Sequence, residues 1–320
     1  MVRMQIENFK SELIGKDPFE VEKLTESLHL RWTESGFLRS TSIAAINQAL
    51  WDIVGKKTRQ PISKLLGGRY TNRVKAYASA GQMSRTAKEI YKEALNFYDM
   101  GFTAYKLRVT FNDAVDKVEA AREAFGTDSE IMVECNMLLP NAKTAIKMIK
   151  KIEKYELTWV ECPLIYTDIE GYIEIRSKVD VPIAAGENLD NFLKFKEWVD
   201  KDAMDVIQPD CNLAGFNEAR KAAIYASYRG IPCCPHNWHN AITRAANAQL
   251  IASVPNHFML EMNMTWNHSC PAFKEEIVDE PIKVKNGYID IPNRPGLGIE
   301  LNEEAVKKYP YIEGPKSAPI

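Results

Sequence analysis

The sequence contains little cysteine and little histidine. Six cysteines and five histidines occur among its 320 residues, and no two cysteines form a C-x-x-C pair. This content excludes a scaffold built on disulfides, and the lack of pairs argues against a structural zinc site. Because free cysteine is among the most buried residue types, we expect buried thiols at Cys135, Cys162, Cys211, Cys233, Cys234 and Cys270.

An excess of one charge and long apolar runs are missing as well. The 41 basic residues nearly balance the 43 acidic ones, which leaves a formal net charge of −2. No window approaches the ~20 consecutive apolar residues of a membrane span. The first residues carry charges throughout and lack the apolar segment of a signal peptide. We therefore expect a cytoplasmic protein with neither nucleic acid nor a membrane as its main partner.

A repeat of short apolar runs organises most of the chain. Eight runs of the kind that forms strands covered on both faces alternate with helix-like stretches such as Thr86–Tyr98. The runs begin at Val74, Ala104, Ile131, Leu157, Val181, Met204, Ile231 and His257. This alternation predicts an α/β fold with a closed (β/α) barrel. An open doubly wound sheet is the alternative, but no G-x-G-x-x-G follows the first strand.

The two ends of the chain do not share this repeat. Asp17–Arg31 and Thr41–Val54 are predicted helices, the second capped by a Ser or Thr at residues 40–42. After about residue 271, short strands surround an Asn286-Gly287 turn. The predicted organisation is a partial α+β capping lobe built from both chain ends around a barrel. Its boundaries are 1–72 for the helical part of the lobe, 73–271 for the barrel and 272–320 for the returning C-terminal segment.

Ionisable side chains recur where the predicted strands end. From Lys106 onward they lie 23 to 28 residues apart, the length of one strand–helix unit. Parallel barrel strands bring their carboxyl ends to one rim, where barrel active sites lie. We expect these side chains to meet there: Lys106, Glu134, Glu161, Glu187, Asp210, His236 and Glu261.

Strand alternation assigns the neighbours of these residues to faces. Lys106 and Arg108 are two residues apart and share a side of their strand, as do Glu134 and Asn136. Cys135 then points away toward the helices. This pattern favours packing cysteines over a thiolate metal site.

Three of the carboxylates follow adjacent strands and predict a metal site. Without a cation between them, Glu134, Glu161 and Glu187 would repel one another at neutral pH. Hard oxygen ligands suit Mg²⁺, which keeps positions open for water or substrate oxygens. The alternative is three separately solvated carboxylates.

An aspartate and a histidine on the next strand ends predict proton transfer. Asp210 can hold one imidazole nitrogen of His236, which raises its basicity and leaves the other nitrogen to move a proton. His239 is a weaker candidate that lines the mouth. Lys106 near a dication would position or neutralise a substrate carboxylate, whereas Arg108, with a pKa above ~12, cannot easily serve as a base.

Eight short motifs occur in one order along nearly the whole chain. They are ALWDIVGK (Ala49–Lys56), PISKLLGG (Pro61–Gly68), YKLRV (Tyr105–Val109), WVECP (Trp159–Pro163), PIAAGE (Pro182–Glu187), VIQPD (Val206–Asp210), CPHNW (Cys234–Trp238) and PGLGIEL (Pro295–Leu301). With them the sequence resembles the mandelate racemase/muconate lactonizing branch of the enolase superfamily. The resemblance implies a (β/α)₇β barrel with a capping lobe. It also implies Mg²⁺ on the three glutamates and removal of a proton α to a carboxylate, with a metal-stabilised enediolate.

The Q-P-D and P-H-N-W motifs look most like sugar-acid dehydratases of the galactonate or gluconate type. The expected substrate is thus a small sugar acid, and the resemblance implies a homo-oligomer. The expected catalytic residues are His236, Asp210, Lys106 and Arg108. Substrate contacts are expected from Asn136, Glu261 and Trp238.

The sequence departs from the family pattern at several positions. The first metal ligand, usually Asp, is Glu134, and the second residue of the K-x-K pair is Arg108. The usual Gly-Gly after the sixth strand is Gly215-Phe216, and we expect a capping lobe without its antiparallel strands. A single base, His236 with Asp210, favours dehydration over two-base racemisation. The alternatives are a racemase, epimerase or cycloisomerase on the same scaffold, or a catalytically silent or shortened binding protein.

Overall fold

The computed structural model describes residues 1–30, 36–265 and 271–310. The strands are β1 (Arg73–Ser79), β2 (Ala104–Arg108), β3 (Glu130–Glu134), β4 (Trp159–Glu161), β5 (Ile183–Ala185), β6 (Val206–Ile207), β7 (Met259–Asn263), β8 (Val284–Lys285) and β9 (Tyr288–Asp290). The helices are α1 (Val2–Asn8), α2 (Lys10–Leu13), α3 (Val21–His29), α4 (Phe37–Thr58), α5 (Ile62–Leu65), α6 (Ala87–Asp99), α7 (Ala114–Phe125), α8 (Ala142–Ile152), α9 (Ile169–Arg176), α10 (Phe192–Asp200), α11 (Cys211–Ser227), α12 (Ala241–Ala252), α13 (Pro271–Glu276) and α14 (Glu303–Lys308).

The predicted parallel barrel is confirmed. Strands β1 to β6 pair in chain order, and β7 pairs in parallel with β1. Between β6 and β7 the ring closes through one residue, Cys233, which forms bridges to Ile207 and His257. The run expected as a strand from Ile231 is therefore reduced to one bridging residue. Pro232 and Pro235 flank it, and proline has no N–H to donate to a ladder.

Side chains fill the barrel interior and its outer face in alternation. In β2, Ala104 belongs to the interior cluster, while Tyr105 and Leu107 pack outward among the helices. Cys135 also lies in the outer cluster, as predicted. The interior cluster comprises Tyr77, Ala104, Met132, Trp159, Ala184, Val206, Cys234 and Met259. The cysteines that the structure describes are all free and buried; Cys270 lies outside the described residues.

Two predicted helix starts are corrected by the structure. Helix α3 begins at Val21 rather than Asp17, and α4 begins at Phe37, directly after Gly36 with φ 91°. Ser40, proposed as a cap, lies inside α4, where its hydroxyl donates to Asp190 Oδ2 (2.6 Å). In contrast, α6 begins with a capping box at Thr86, close to the predicted boundary.

Helix α4 packs against α11 through buried amides. The Gln48 side chain donates to the Cys211 carbonyl (2.8 Å), and the Asn47 oxygen accepts from the Phe216 N–H (2.8 Å). Gly215 interrupts α11 with φ 66°, and a Cβ there would lie 3.0 Å from Asn47 Oδ1. The helical lobe is thus fastened to the start of α11.

The C-terminal segment contacts both the barrel and the helical lobe. Asn286 and Gly287, with φ 49° and 71°, form the predicted hairpin turn between β8 and β9. Strand β9 pairs antiparallel with β1, and the N–H of Leu297 donates to Asp52 of α4 (2.8 Å). The boundaries at 72 and 271 stay predictions. Among the described ranges, no helix combines the length and the apolar character needed to cross a membrane.

Candidate active site

The strand ends bring most of the predicted site residues to one mouth of the barrel. Parallel register sets Arg108 beside Glu134 and Glu134 beside Glu161. Strand β3 ends at Glu134, and Asn136 lies in a left-handed turn with φ 49°. The prediction that Asn136 shares a face with Glu134 is therefore wrong, because Asn136 lies beyond the end of the strand. Its side chain is exposed, and its backbone N–H donates to Glu134 (2.5 Å).

Three carboxylates converge in this mouth. One oxygen each of Glu134, Glu161 and Glu187 lies within 4.8 Å of the others. Burial, together with the negative charges of Glu161 and Glu187, raises the pKa of Glu134 well above its ordinary value. A cluster that disfavours its own charge in this way suits a divalent cation, and carboxylate oxygens are the ligands that Mg²⁺ prefers. The donor set therefore fits Mg²⁺.

Lys106 supplies positive charge to these carboxylates. Its buried amine forms an ion pair with Glu161 and lies 3.0 Å from Glu261 and 3.7 Å from Glu134. Burial disfavours the ammonium form, but the three carboxylates outweigh burial and raise the pKa of Lys106. The lysine is therefore a fixed cation in the mouth.

Two residues that the sequence analysis did not identify hold Glu161. Trp159 donates its indole N–H to Glu161 Oε2 (2.9 Å), and Gln208 donates its amide to the same oxygen (2.6 Å). Both donors are completely buried. With Oε2 bound twice, Oε1 faces Lys106. Gln208 belongs to the Q-P-D motif, which was the available signal.

Asp210 and His236 form the predicted pair. Asp210 caps α11 by accepting the N–H of Asn212 at Oδ1 (2.8 Å), and its Oδ2 lies 2.9 Å from His236 Nδ1. The other imidazole nitrogen, Nε2, lies 3.5 Å from Glu187. Burial lowers the pKa of His236, but Glu187 and the hydrogen bond to Asp210 outweigh burial and raise it to about 10.

His239 stands further out beside the same aspartate. Its Nε2 lies 3.6 Å from Asp210 and 3.1 Å from the amide nitrogen of Asn212. The side chain is 44% exposed, against 16% for His236. Burial lowers the pKa of His239. The two histidines therefore differ in both access and basicity.

Arg108 is held by an aromatic ring. Its guanidinium lies 4.0 Å from the ring centroid of Trp238 and donates to the Ala80 carbonyl (2.5 Å). Such stacking is typical of arginine and keeps its fork in one orientation. The structure thus joins the predicted residues Arg108 and Trp238 to each other.

Glu261 pairs with groups of the protein. It is completely buried, contacts Lys106 and accepts the N–H of Asn237 (2.6 Å). Burial raises its pKa, but Lys106, His236 and that N–H outweigh burial and lower it to about 2. Its direct contact with substrate stays a prediction, while its observed partner is Lys106.

A parallel barrel with acidic, basic and His–Asp groups at its C-terminal mouth defines a barrel enzyme of the enolase type. Two family models match the chain: Enolase C-terminal domain-like over residues 89–305, and Mandelate racemase / muconate lactonizing enzyme, N-terminal domain, over residues 2–67. The chain therefore belongs to the mandelate racemase/muconate lactonizing branch of the enolase superfamily, an enzyme family, as its motifs predicted.

Similar proteins include both dehydratases and cycloisomerases. The D-galactarolactone cycloisomerase of Agrobacterium fabrum is 30% identical, over 95% of this chain and 83% of its own. The D-gluconate dehydratase of Thermoproteus tenax is 30% identical over 92% of this chain and 62% of its own. The D-galactonate dehydratase of Pectobacterium atrosepticum is 30% identical over 99% and 85%.

Solved structures have the same fold. The 3,6-anhydro-D-galactonate cycloisomerase of Zobellia galactanivorans superposes with a TM-score of 0.89 at 30% identity, covering 96% of this chain and 87% of its own. A racemase from Streptomyces coelicolor with bound magnesium superposes with a TM-score of 0.87 at 27% identity, covering 96% and 83%.

Proposed function

We propose that the protein is a Mg²⁺-dependent dehydratase that converts a sugar acid to a 2-keto-3-deoxy acid. The observation that carries this proposal is the pair formed by Asp210 and His236, with the second imidazole nitrogen directed at Glu187 in the carboxylate cluster. A substrate held at that cluster would present its α-carbon near one oriented base.

In this proposal His236 moves the proton. With the negative charge of Glu187 neutralised, the raised pKa of His236 would fall and free its Nε2. Nε2 then accepts the α-proton while Asp210, at Nδ1, stabilises the imidazolium that forms. The same nitrogen then returns the proton to the β-hydroxyl, which leaves as water. The remaining enol rearranges to the 2-keto acid, so protons and atoms balance. General acid–base transfer of this kind contributes roughly 10²–10⁴-fold to a rate.

The other site residues bind and orient the acid. Lys106 would neutralise one oxygen of the substrate carboxylate, and Glu261 would hold the lysine in place. Arg108, fixed on Trp238, would donate to substrate oxygens. Mg²⁺ on the three glutamates would offset the second negative charge that develops as the α-proton leaves.

A cycloisomerase is the second candidate, because relatives of equal identity carry that name. One oriented base serves cycloisomerisation as well as dehydration. A racemase requires a second base, and Arg108 stacked on Trp238 is a poor one. A catalytically silent binding protein is the third possibility, to be decided by turnover.

The test is incubation of the purified protein with Mg²⁺ and a library of aldonic and aldaric acids and their lactones. A 2-keto-3-deoxy product is read as semicarbazone absorbance, and a parallel reaction in D₂O reports α-proton exchange by NMR. We expect product from one or a few aldonic acids, and its loss on removal of Mg²⁺ by EDTA. A 2-keto-3-deoxy product formed from lactones but not from the open-chain acids would favour the cycloisomerase, because the ring oxygen then leaves the β-carbon and stays in the product.

His239→Asn is a matched control for His236→Asn. Both histidines lie near Asp210, but His239 is the more exposed. We expect His236→Asn to lose roughly 10²-fold or more of the turnover while it still binds Mg²⁺ in calorimetry, and His239→Asn to keep most of it. If no acid or lactone in the library gives product or α-proton exchange, both enzyme proposals are refuted.

A further inference from the structure

Asn247 is a completely buried residue of α12 that connects the two halves of the Asp210–His236 pair. Its Nδ2 donates to Asp210 Oδ1 (3.3 Å) and to the His236 carbonyl (2.8 Å). Its Oδ1 accepts the N–H of Cys211 (3.0 Å). One side chain thus contacts the end of β6 and the segment that follows the Cys233 bridge.

We propose that Asn247 is a positioning residue for proton transfer by His236; this rests on the proposed function. Asp210 Oδ1 is occupied by the N–H of Asn212 and by Asn247, which leaves Oδ2 for His236 Nδ1. The amide therefore sets the rotation of the Asp210 carboxylate, and through the His236 carbonyl it also sets the backbone that carries the imidazole.

The orientation of the Asn247 amide is determined by its partners. If the amide were turned over, its NH₂ would face the N–H of Cys211, and its oxygen would face a carboxylate and a carbonyl. Burial makes such mismatches costly, because no water is available to satisfy them. A carboxylate at this position has the same shape but no donor, so it would repel Asp210 and push the pair apart.

Asn247→Asp is the test, and Gln249→Glu is its matched control. Gln249 lies on the same helix, is equally buried and uses its amide on Ser63, Pro292 and Leu297 instead of the pair. We expect Asn247→Asp to lower kcat about 100-fold, the effect of a misplacement of ~1 Å, with little change in KM. Gln249→Glu should lose stability while keeping kcat within a few-fold of the wild type.

Nuclear magnetic resonance of ¹⁵N-histidine-labelled protein supplies a readout that needs no substrate. The Nδ1 proton of His236 in its bond to Asp210 gives a downfield resonance, assigned by its loss in His236→Asn. We expect this resonance to shift or disappear in Asn247→Asp and to persist in Gln249→Glu. If Asn247→Asp does not fold, Asn247→Ser is read by the same spectrum.

The proposal is overturned if the His236 resonance of the Asn247 variant matches the wild type, or if kcat falls equally in the two amide variants. Failure of the proposed function looks different. In that case the wild type turns over no acid in the library, while the spectra still report whether Asn247 positions His236.

Discussion

Replacing Lys106 with methionine would remove the cation from a buried group of carboxylates. Methionine keeps much of the length of the side chain but leaves Glu161 and Glu261, both completely buried, without the amine that now contacts them. Removing one partner of a buried ion pair costs about 3–5 kcal/mol. At roughly 2 °C per kcal/mol for a chain of this size, we expect Tm of the metal-free variant to fall by about 6–10 °C.

Magnesium should restore much of this loss. With the ammonium gone, the attraction of the carboxylates for a divalent cation increases, because a unit charge about 4 Å away opposes it by several kcal/mol at an effective dielectric constant of ~20. Saturating Mg²⁺ should therefore raise Tm of Lys106→Met by more than it raises Tm of the wild type. Differential scanning calorimetry with EDTA and with Mg²⁺ measures both differences.

Lys117→Met is the matched control. Lys117 is also buried, and it pairs with Asp113 (2.8 Å) and donates to the Met83 carbonyl (2.9 Å), away from the three glutamates. Its Tm should fall by the same amount with and without Mg²⁺. Two results would refute the view that Lys106 neutralises the buried carboxylates. One is an equal Tm of metal-free Lys106→Met and metal-free wild type, and the other is an equal rise of Tm with Mg²⁺ in all three proteins.

Three further predictions concern the pair, the lobe contact and a helix cap. Mg²⁺ should lower the pKa of His236 from about 10 by neutralising Glu187, as measured by an NMR titration; Mg²⁺ affinity should accordingly increase as the pH rises. Gly215→Ala should destabilise by about 1–3 kcal/mol in urea unfolding, because a side chain at φ 66° and ψ 177° is strained and its Cβ would contact Asn47. Thr86→Ala should cost about 1 kcal/mol in the same assay, through loss of its capping box.

Each of these has a control or a contradicting result. An unchanged pKa of His236 at saturating Mg²⁺ would mean that the cation does not neutralise Glu187. Gly230 also has a positive φ, 71°, but open space around an added Cβ, so Gly230→Ala should cost less than Gly215→Ala. A Thr86→Ala protein as stable as the wild type would show that the cap is not used in solution.

The mouth of the barrel was predictable because parallel strands repeat at a nearly constant length. Lys106, Glu134, Glu161 and Glu187 follow from that repeat alone. The seventh run pairs with both neighbours as predicted but is shorter: its composition suits a strand, yet only Cys233 forms bridges, and residues 232 and 235 are prolines. The start of α4 was also missed, because the sequence does not show whether the Ser40 hydroxyl bonds forward as a cap or to Asp190, which is distant in the chain.

Residues that act through another residue left little trace in the sequence. Trp159 and Gln208 lie on or next to buried strands, and Asn247 lies in an alanine-rich helix, where polar side chains usually serve packing. Only their partners show what they do. The signal for Asn247 was an amide in α12. Nearly all residues of this helix are buried, and a fully buried amide must be hydrogen-bonded.

Closure of the barrel through Cys233 alone has a consequence for local opening. The β2–β3 joint has five paired residues and the β5–β6 joint has two, whereas Cys233 forms one bridge to each of its neighbours. Native-state hydrogen exchange should therefore begin there, at a free energy below that of global unfolding. Asp210 and His236 lie just beyond this joint, on either side of it. The hydrogen bond between their side chains therefore connects the two sides of this short joint, and a ligand bound in the mouth should slow exchange at Ile207 and Cys234.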